Sequence, residues 1–260
     1  MPAQQRSLGP ILLLGSCPGV AEGLAIFGHT ALRAASVSAA LANAGDPDIR
    51  FAFIDASVPI ADAVKFLDAL AEIRPHAAAV LALPPGADSS DRIHLDHARA
   101  IGAATILMPG SDPATLLTAL ARKGYGGAHR TRRALIADDT ATVREIFRTM
   151  LVKAGYEVFA YETFDMALES PEAIGIDLVV LDIFMPGISG IEAIRVVRRG
   201  WRGTKILAVS AGLEGRMEAS TTLQAADRLG ADRILSKPID GAKLIATAQE
   251  LIGASISRAA

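Results

Sequence analysis

Four short apolar runs in the second half of this 260-residue chain end in groups that could do chemistry. Ala134-Leu135-Ile136-Ala137 runs into Asp138 and Asp139, and Leu178-Val179-Val180-Leu181 runs into Asp182. The run from Lys205 to Val209 ends at Ser210, and the run from Arg233 to Ser236 ends at Lys237-Pro238. Short runs that are apolar throughout read as strands buried on both faces of a parallel sheet. In open α/β sheets, ligands bind outside the carboxyl ends of the strands. One such edge here collects three carboxylates, a hydroxyl and an ammonium. The carboxylates repel one another in a low dielectric. A hard divalent cation with oxygen ligands removes that conflict, and Mg²⁺ takes a few carboxylates together with waters and phosphate oxygens. The set suits phosphoryl transfer, with Asp182 as carboxylate nucleophile. Mg²⁺ and Lys237 would offset charge on the transferred oxygens, and Ser210 would donate to the phosphoryl group once it is attached.

In these motifs residues 134–252 resemble the receiver domain of two-component response regulators. The resemblance rests on the acidic pair Asp138/Asp139, on Asp182 followed by Met185-Pro186-Gly187, on Ser210 and on Lys237-Pro238. It implies that Asp182 is the phosphoacceptor and that Asp139, Asp182 and the Phe184 backbone carbonyl ligate Mg²⁺. Asp138 would act through water. One position departs from the pattern. The family usually carries an aromatic residue three positions before the lysine, and here that position is Ile234. The coupled rotation of hydroxyl and aromatic that reports phosphorylation cannot run in its usual form, so a part-open surface or another element must replace it.

Bulk composition narrows the function classes. A net charge of −2, with 9 basic and 11 acidic side chains in residues 1–125 and 17 of each in 126–260, gives neither half the basic excess of a nucleic-acid binder. The basic cluster Arg195, Arg198, Arg199 and Arg202 around Trp201 reads as a solvated helix end favoured by the helix dipole. A single Cys excludes an intramolecular disulfide and fits a reducing, cytoplasmic setting. No run of 18 apolar residues would span a membrane. Arg6 followed by Ile11 to Cys17 faintly imitates an export signal, but the apolar stretch is short and reads better as a first buried strand entering a turn. The five histidines lack metal-ligand spacing, and His94 and His97 read as surface residues of a helix.

The chain also repeats itself. Leu95 to Leu107 parallels Leu223 to Leu235 at an offset of 128, and Phe51 to Asp55 parallels Val179 to Asp182 at 127. The first half reads as strands at 11–16, 30–35, 50–55, 77–83 and 104–108, alternating with helices at about 20–28, 37–44, 61–73, 91–101 and 113–122. Five βα units with right-handed crossovers lead to a doubly wound parallel sheet. The expected architecture is therefore two flavodoxin-like (βα)5 domains in tandem, at 1–122 and 134–255, joined by a mobile basic, Gly-rich linker at 123–133. In the first half Gly15 and Ser16 replace the acidic pair, Ala82 replaces the hydroxyl and Pro109 or Met108 replaces the lysine. Only Asp55 remains, which is the pattern of a pseudo-receiver whose chemistry has been lost.

These features lead to a response regulator rather than an enzyme, since phosphorylation from an activated donor with slow loss is all the site requires. A sensor histidine kinase or a histidine phosphotransfer protein would supply the phosphate. Downstream of Ile252 only a short tail follows, so output is expected through protein contacts of residues 220–252, with homodimerisation as one form and neither membrane nor nucleic acid as partner. The loop Ala211 to Met217 beside Ser210 is long enough to move with phosphorylation. A relay or phosphate-sink protein and a non-phosphorylated scaffold are the alternatives. A phosphatase-like hydrolase is disfavoured because Phe184 stands where that class needs a second Asp.

Overall fold

The structure is a computed structural model that describes residues 8–88, 91–127, 130–210, 228 and 230–256, without the side chains of 254–256. It divides into two compact units, one ending at Arg130 and one beginning at Thr131. The N-terminal unit holds β1 (Ile11–Leu14), α1 (Val20–Ile26), β2 (Ala31–Ala34), α2 (Val37–Asn43), β3 (Phe51–Asp55), α3 (Ile60–Ile73), β4 (Ala78–Ala82), α4 (Arg92–Ile101), β5 (Thr105–Leu107) and α5 (Pro113–Arg122). The C-terminal unit holds β6 (Arg133–Ala137), α6 (Ala141–Lys153), β7 (Glu157–Tyr161), α7 (Phe164–Glu169), β8 (Leu178–Asp182), α8 (Gly190–Gly200), β9 (Lys205–Ser210), β10 (Arg233–Ser236) and α9 (Gly241–Ile256).

Each unit is an α/β fold around a five-stranded, all-parallel sheet. The strand orders are β2-β1-β3-β4-β5 and β7-β6-β8-β9-β10, so the two topologies are the same. In both, the second strand added lies outside the first and the third returns to its other side, which places the switch point between the first and third strands. Asp138 follows β6 and Asp182 ends β8, on either side of that point.

Period-2 alternation explains why the strands read as unbroken apolar runs. Leu135, Val179, Leu181, Ile206 and Ala208 enter one core cluster, with Phe164, Ile194 and Val197 of the helices on that side. Ala134, Ile136, Val180, Leu207 and Val209 enter the other, with Phe147, Leu151, Leu244 and Ala248. Both faces are covered over the central strands, so their inner positions are apolar, while the charged residues Arg133, Lys205 and Arg233 stand at strand starts. On α6 the buried stripe is narrower than helical spacing suggests, because Phe147 and Leu151 are buried while Ile146 is 44% exposed.

Three expectations need correction. Residues 123–133 are not a free linker for most of their length. Tyr125 is buried in the N-terminal core. Gly126, at φ +73°, lies where a Cβ would meet Arg50 at 2.9 Å. Arg133 opens β6, sets its guanidinium over Phe159, pairs with Glu157 at 3.2 Å and donates to the carbonyls of Glu172 and Ile174. Trp201 is also not part of a solvated terminus, since it is buried with its ring 5.6 Å from that of Phe164. His97 is buried rather than at the surface, and its Nε2 has no hydrogen-bond partner among the described residues. Among the described residues, no helix is long and apolar enough to cross a membrane.

Candidate functional site

The loop after β6, the end of β8 and the end of β10 bring Asp138, Asp139, Asp182 and Lys237 together. Each of the three Asp residues offers a carboxylate oxygen within 4.8 Å of the others. Asp138 and Asp182 are buried and Asp139 is exposed. Lys237 Nζ donates to Asp182 Oδ2 at 2.6 Å and to Asp138 Oδ2 at 2.9 Å. Burial alone would push the Lys237 ammonium down, but its hydrogen bonds to Asp182 and Asp138, and their charges, outweigh that and hold its pKa above the ordinary lysine value.

The loops around these side chains are held by specific contacts. Thr140 N–H donates to Asp138 Oδ1 at 2.9 Å, a turn that points the rest of that carboxylate at Lys237. Arg144, one turn into α6, donates to the Asp138 carbonyl at 2.6 Å and thereby fixes the peptide between the two acids. Phe184 N–H donates to Asp182 Oδ1 at 3.0 Å, while its ring stays 66% exposed. Gly190 begins α8 so close to β8 that a Cβ there would lie 2.2 Å from the Asp182 carbonyl oxygen. Ser210 is buried at the end of β9, one position beyond the Val209 that pairs with Asp182, and its carbonyl accepts from Lys237 N–H at 2.8 Å.

Residues 211–227 lie outside the described residues, so the expectations for the 211–217 loop and for part of the 220–252 surface fall there. Ile234 is buried in the core cluster on the α8 side. Sequence reasoning missed Arg144 and Gly190, whose roles depend on distances to backbone carbonyls. The spacing of Gly187 and Gly190 across the loop after Asp182 was the available signal for a close approach.

The donor set fits a hard divalent cation. All of its ligand atoms are oxygens, and three carboxylates outnumber the Lys237 ammonium and the nearby Arg144 guanidinium, so the cluster stays net negative. Asp139 accepts from the Thr140 hydroxyl at 3.3 Å and is exposed to solvent.

The corresponding edge of the N-terminal unit is arranged differently. Asp55 ends β3 and is 2% exposed. Its Oδ2 accepts from Ser16 Oγ at 2.7 Å and Cys17 N–H at 2.8 Å. Its Oδ1 accepts from Ser57 N–H at 2.9 Å and Ser57 Oγ at 2.7 Å. Burial alone would raise the Asp55 pKa, but the Ser16, Ser57 and Cys17 hydrogen bonds hold it below the ordinary aspartate value. Burial, and next the Asp55 charge, push the neighbouring Cys17 thiol up to about 12, so it stays an unreactive thiol.

Comparison with known proteins bears on the C-terminal unit. Residues 134–249 match the response regulator receiver domain family. The chemotaxis protein CheY of Thermotoga maritima is 31% identical over 115 residues, which are 44% of this chain and 92% of that protein. The sensory/regulatory protein RpfC of Xanthomonas campestris is 29% identical over 126 residues, which are 47% of this chain but only 17% of the relative's length. Among solved structures, the Thermotoga maritima response regulator TrrA in complex with Mg(2+)-BeF is 30% identical, with a TM-score of 0.39, covering 46% of this chain and 99% of that one.

Proposed function

This chain belongs, through residues 134–249, to the response-regulator receiver domain family, and from that premise we propose that its C-terminal unit accepts a phosphoryl group on Asp182. The observation that carries the reading is the bridge from Lys237 Nζ to Asp182 and Asp138 beside a third carboxylate, Asp139. Asp139, Asp182 and the Phe184 carbonyl would hold Mg²⁺, with Asp138 acting through water. When bound, the ion supplies charge neutralisation for the transferred oxygens.

The chain's own groups do the rest. An Asp182 carboxylate oxygen forms the bond to phosphorus as the donor's bond breaks, and a phosphohistidine donor leaves with the electron pair and takes a proton. Lys237 offsets the charge brought by the phosphoryl oxygens, and Ser210 donates to one of them. The donor is a sensor histidine kinase or a histidine phosphotransfer protein, and the reader is a protein that docks on residues 220–252. The N-terminal unit is a pseudo-receiver used for docking or dimerisation, since Gly15 and Ser16 stand where the acidic pair would be and the Asp55 oxygens accept from Ser16, Cys17 and Ser57. A second reading, a relay or phosphate sink without conformational output, draws support from Ile234, which is neither aromatic nor surface-exposed.

The test is the intact mass of the protein after incubation with Mg²⁺ and acetyl phosphate. One added phosphoryl group that is absent in Asp182→Asn supports the reading. An unmodified wild-type chain favours the scaffold alternative and sinks it.

A further inference from the structure

The segment after Asp182 is held from outside the site by a residue that no part of the phosphoacceptor chemistry uses. Asp165 lies in the first turn of α7, and its Oδ2 accepts Ile188 N–H at 3.1 Å across 23 residues of sequence. Gly187 sits directly against it at φ +76°, where a Cβ would lie 2.8 Å from the same Oδ2. The contact therefore needs a glycine twice over, for the left-handed backbone and for the close approach. Between this anchor and β8 lie only Ile183 to Gly187, and within that span Phe184 N–H is tied to Asp182 Oδ1. Ile183 N–H bonds Val209 O at one end, and Gly190 N–H bonds Ile183 O behind the loop. Asp165 is thus the side-chain tether on the far side of Phe184.

We propose that Asp165 is a positioning residue for the divalent-cation site. Its carboxylate fixes the path of residues 184–188 and so the orientation of the Phe184 peptide, without touching the ion. The inference rests on the reading that Asp182 and the Phe184 carbonyl hold that ion. Without the Asp165 contact the backbone bonds at Ile183 and Gly190 still close the loop, but the turn at Gly187 between them loses its side-chain anchor and samples more peptide orientations, and each one that turns the carbonyl away lowers affinity. Outer-shell partners that orient metal ligands typically contribute about 10–100-fold in affinity.

The test uses the full chain and Mn²⁺ as probe, with affinity read from water-proton relaxation. Asp165→Ala is expected to weaken Mn²⁺ binding about tenfold or more. Asp165→Asn keeps an oxygen that accepts from Ile188 N–H and should stay close to wild type. In phosphorylation by acetyl phosphate, the half-saturating Mg²⁺ concentration should rise in Asp165→Ala, while the rate at saturating Mg²⁺ is retained. A merely structural role would also lower the rate at saturating Mg²⁺. Should Asp165→Ala fail to fold, Gly187→Ala, which pushes the loop off the same carboxylate, carries the test in the same direction. Unchanged Mn²⁺ affinity in folded Asp165→Ala, or in Gly187→Ala, overturns the positioning role. Failure of the unaltered chain to take up Mn²⁺ is a separate result that removes the cation-site reading and this proposal with it.

Discussion

Asp55 and Asp182 end equivalent strands of two sheets with the same order, yet one is satisfied by neutral donors and the other by a cation. Around Asp55, two hydroxyls and two backbone N–H groups saturate both carboxylate oxygens. Around Asp182, one backbone N–H and the Lys237 ammonium leave two further carboxylates nearby and a net negative charge. The comparison separates scaffold from chemistry. The parallel sheet delivers a buried carboxylate to its edge in either case, and the neighbouring loops decide whether it is saturated by neutral donors or left beside a cation and further carboxylates. In the N-terminal unit those neighbours are Ser16, Cys17 and Ser57, and with them the edge is complete.

The largest expected difference is in phosphorylation itself. Asp182→Asn should abolish uptake of a phosphoryl group from acetyl phosphate, and Asp55→Asn should leave it at wild-type stoichiometry by intact mass. Uptake at Asp55, located by peptide mapping, would break the comparison.

Lys237→Met comes next. Loss of the ammonium should slow phosphorylation by about 10²–10³, yet Mn²⁺ should bind more tightly, because three carboxylates would then lack their internal cation. Weaker Mn²⁺ binding would show that Lys237 organises the carboxylates rather than competing for them. The raised pKa of Lys237 means that its stabilisation is fully present below the ordinary lysine value and is lost as pH rises through the folded one.

The stability effects should have opposite signs. Asp55→Ala leaves its donors without an acceptor and should destabilise the N-terminal unit by about 1–3 kcal/mol. Asp182→Asn removes one of three crowded carboxylates and should raise the unfolding temperature of the C-terminal unit in metal-free buffer. Calorimetry of the two variants checks both signs. Because the Asp55 pKa is lowered in the folded state, its contribution is present above the ordinary aspartate value and is lost as pH falls through the folded one.

The smallest effect sharpens the comparison from the side of the N-terminal core. Burial, and then the nearby His94 charge, lower the His97 pKa, so the unfolded chain binds a proton that the folded unit refuses. Stability of that unit should decline as pH falls below about 6.5, by up to about 1.4 kcal/mol per pH unit. His97→Leu should flatten the decline in urea titrations at pH 7.5 and 5.5. An unchanged slope would show that His97 finds a partner when charged.

Much of the fold was legible in the sequence. Apolar runs of strand length, helices between them and a repeat offset near 127 lead to two parallel sheets, because a strand covered on both faces has no polar position to spare. The acidic pair, Asp182 and Lys237 were also legible, since charged groups at the ends of such runs must face the sheet edge. Residues 123–133 were misread because Gly and Arg have the composition of a linker, whereas Tyr125 and Arg133 have cores to join. Trp201 and His97 were misread for a related reason, since local spacing does not say which side of a helix end another element covers.

What the chain alone determined is the order of strands and helices and the identity of the groups at each sheet edge, because periodicity and residue chemistry are local properties. Only the tertiary structure decided how those groups are satisfied: that Lys237 bridges Asp138 and Asp182, that Asp55 is enclosed by serines and a backbone amide, and that Asp165 holds the turn at Gly187. Apart from the Ser57 contact, which lies two residues from Asp55, each of these joins residues far apart in the chain. Their distances depend on the packing of whole elements, which no sequence window contains.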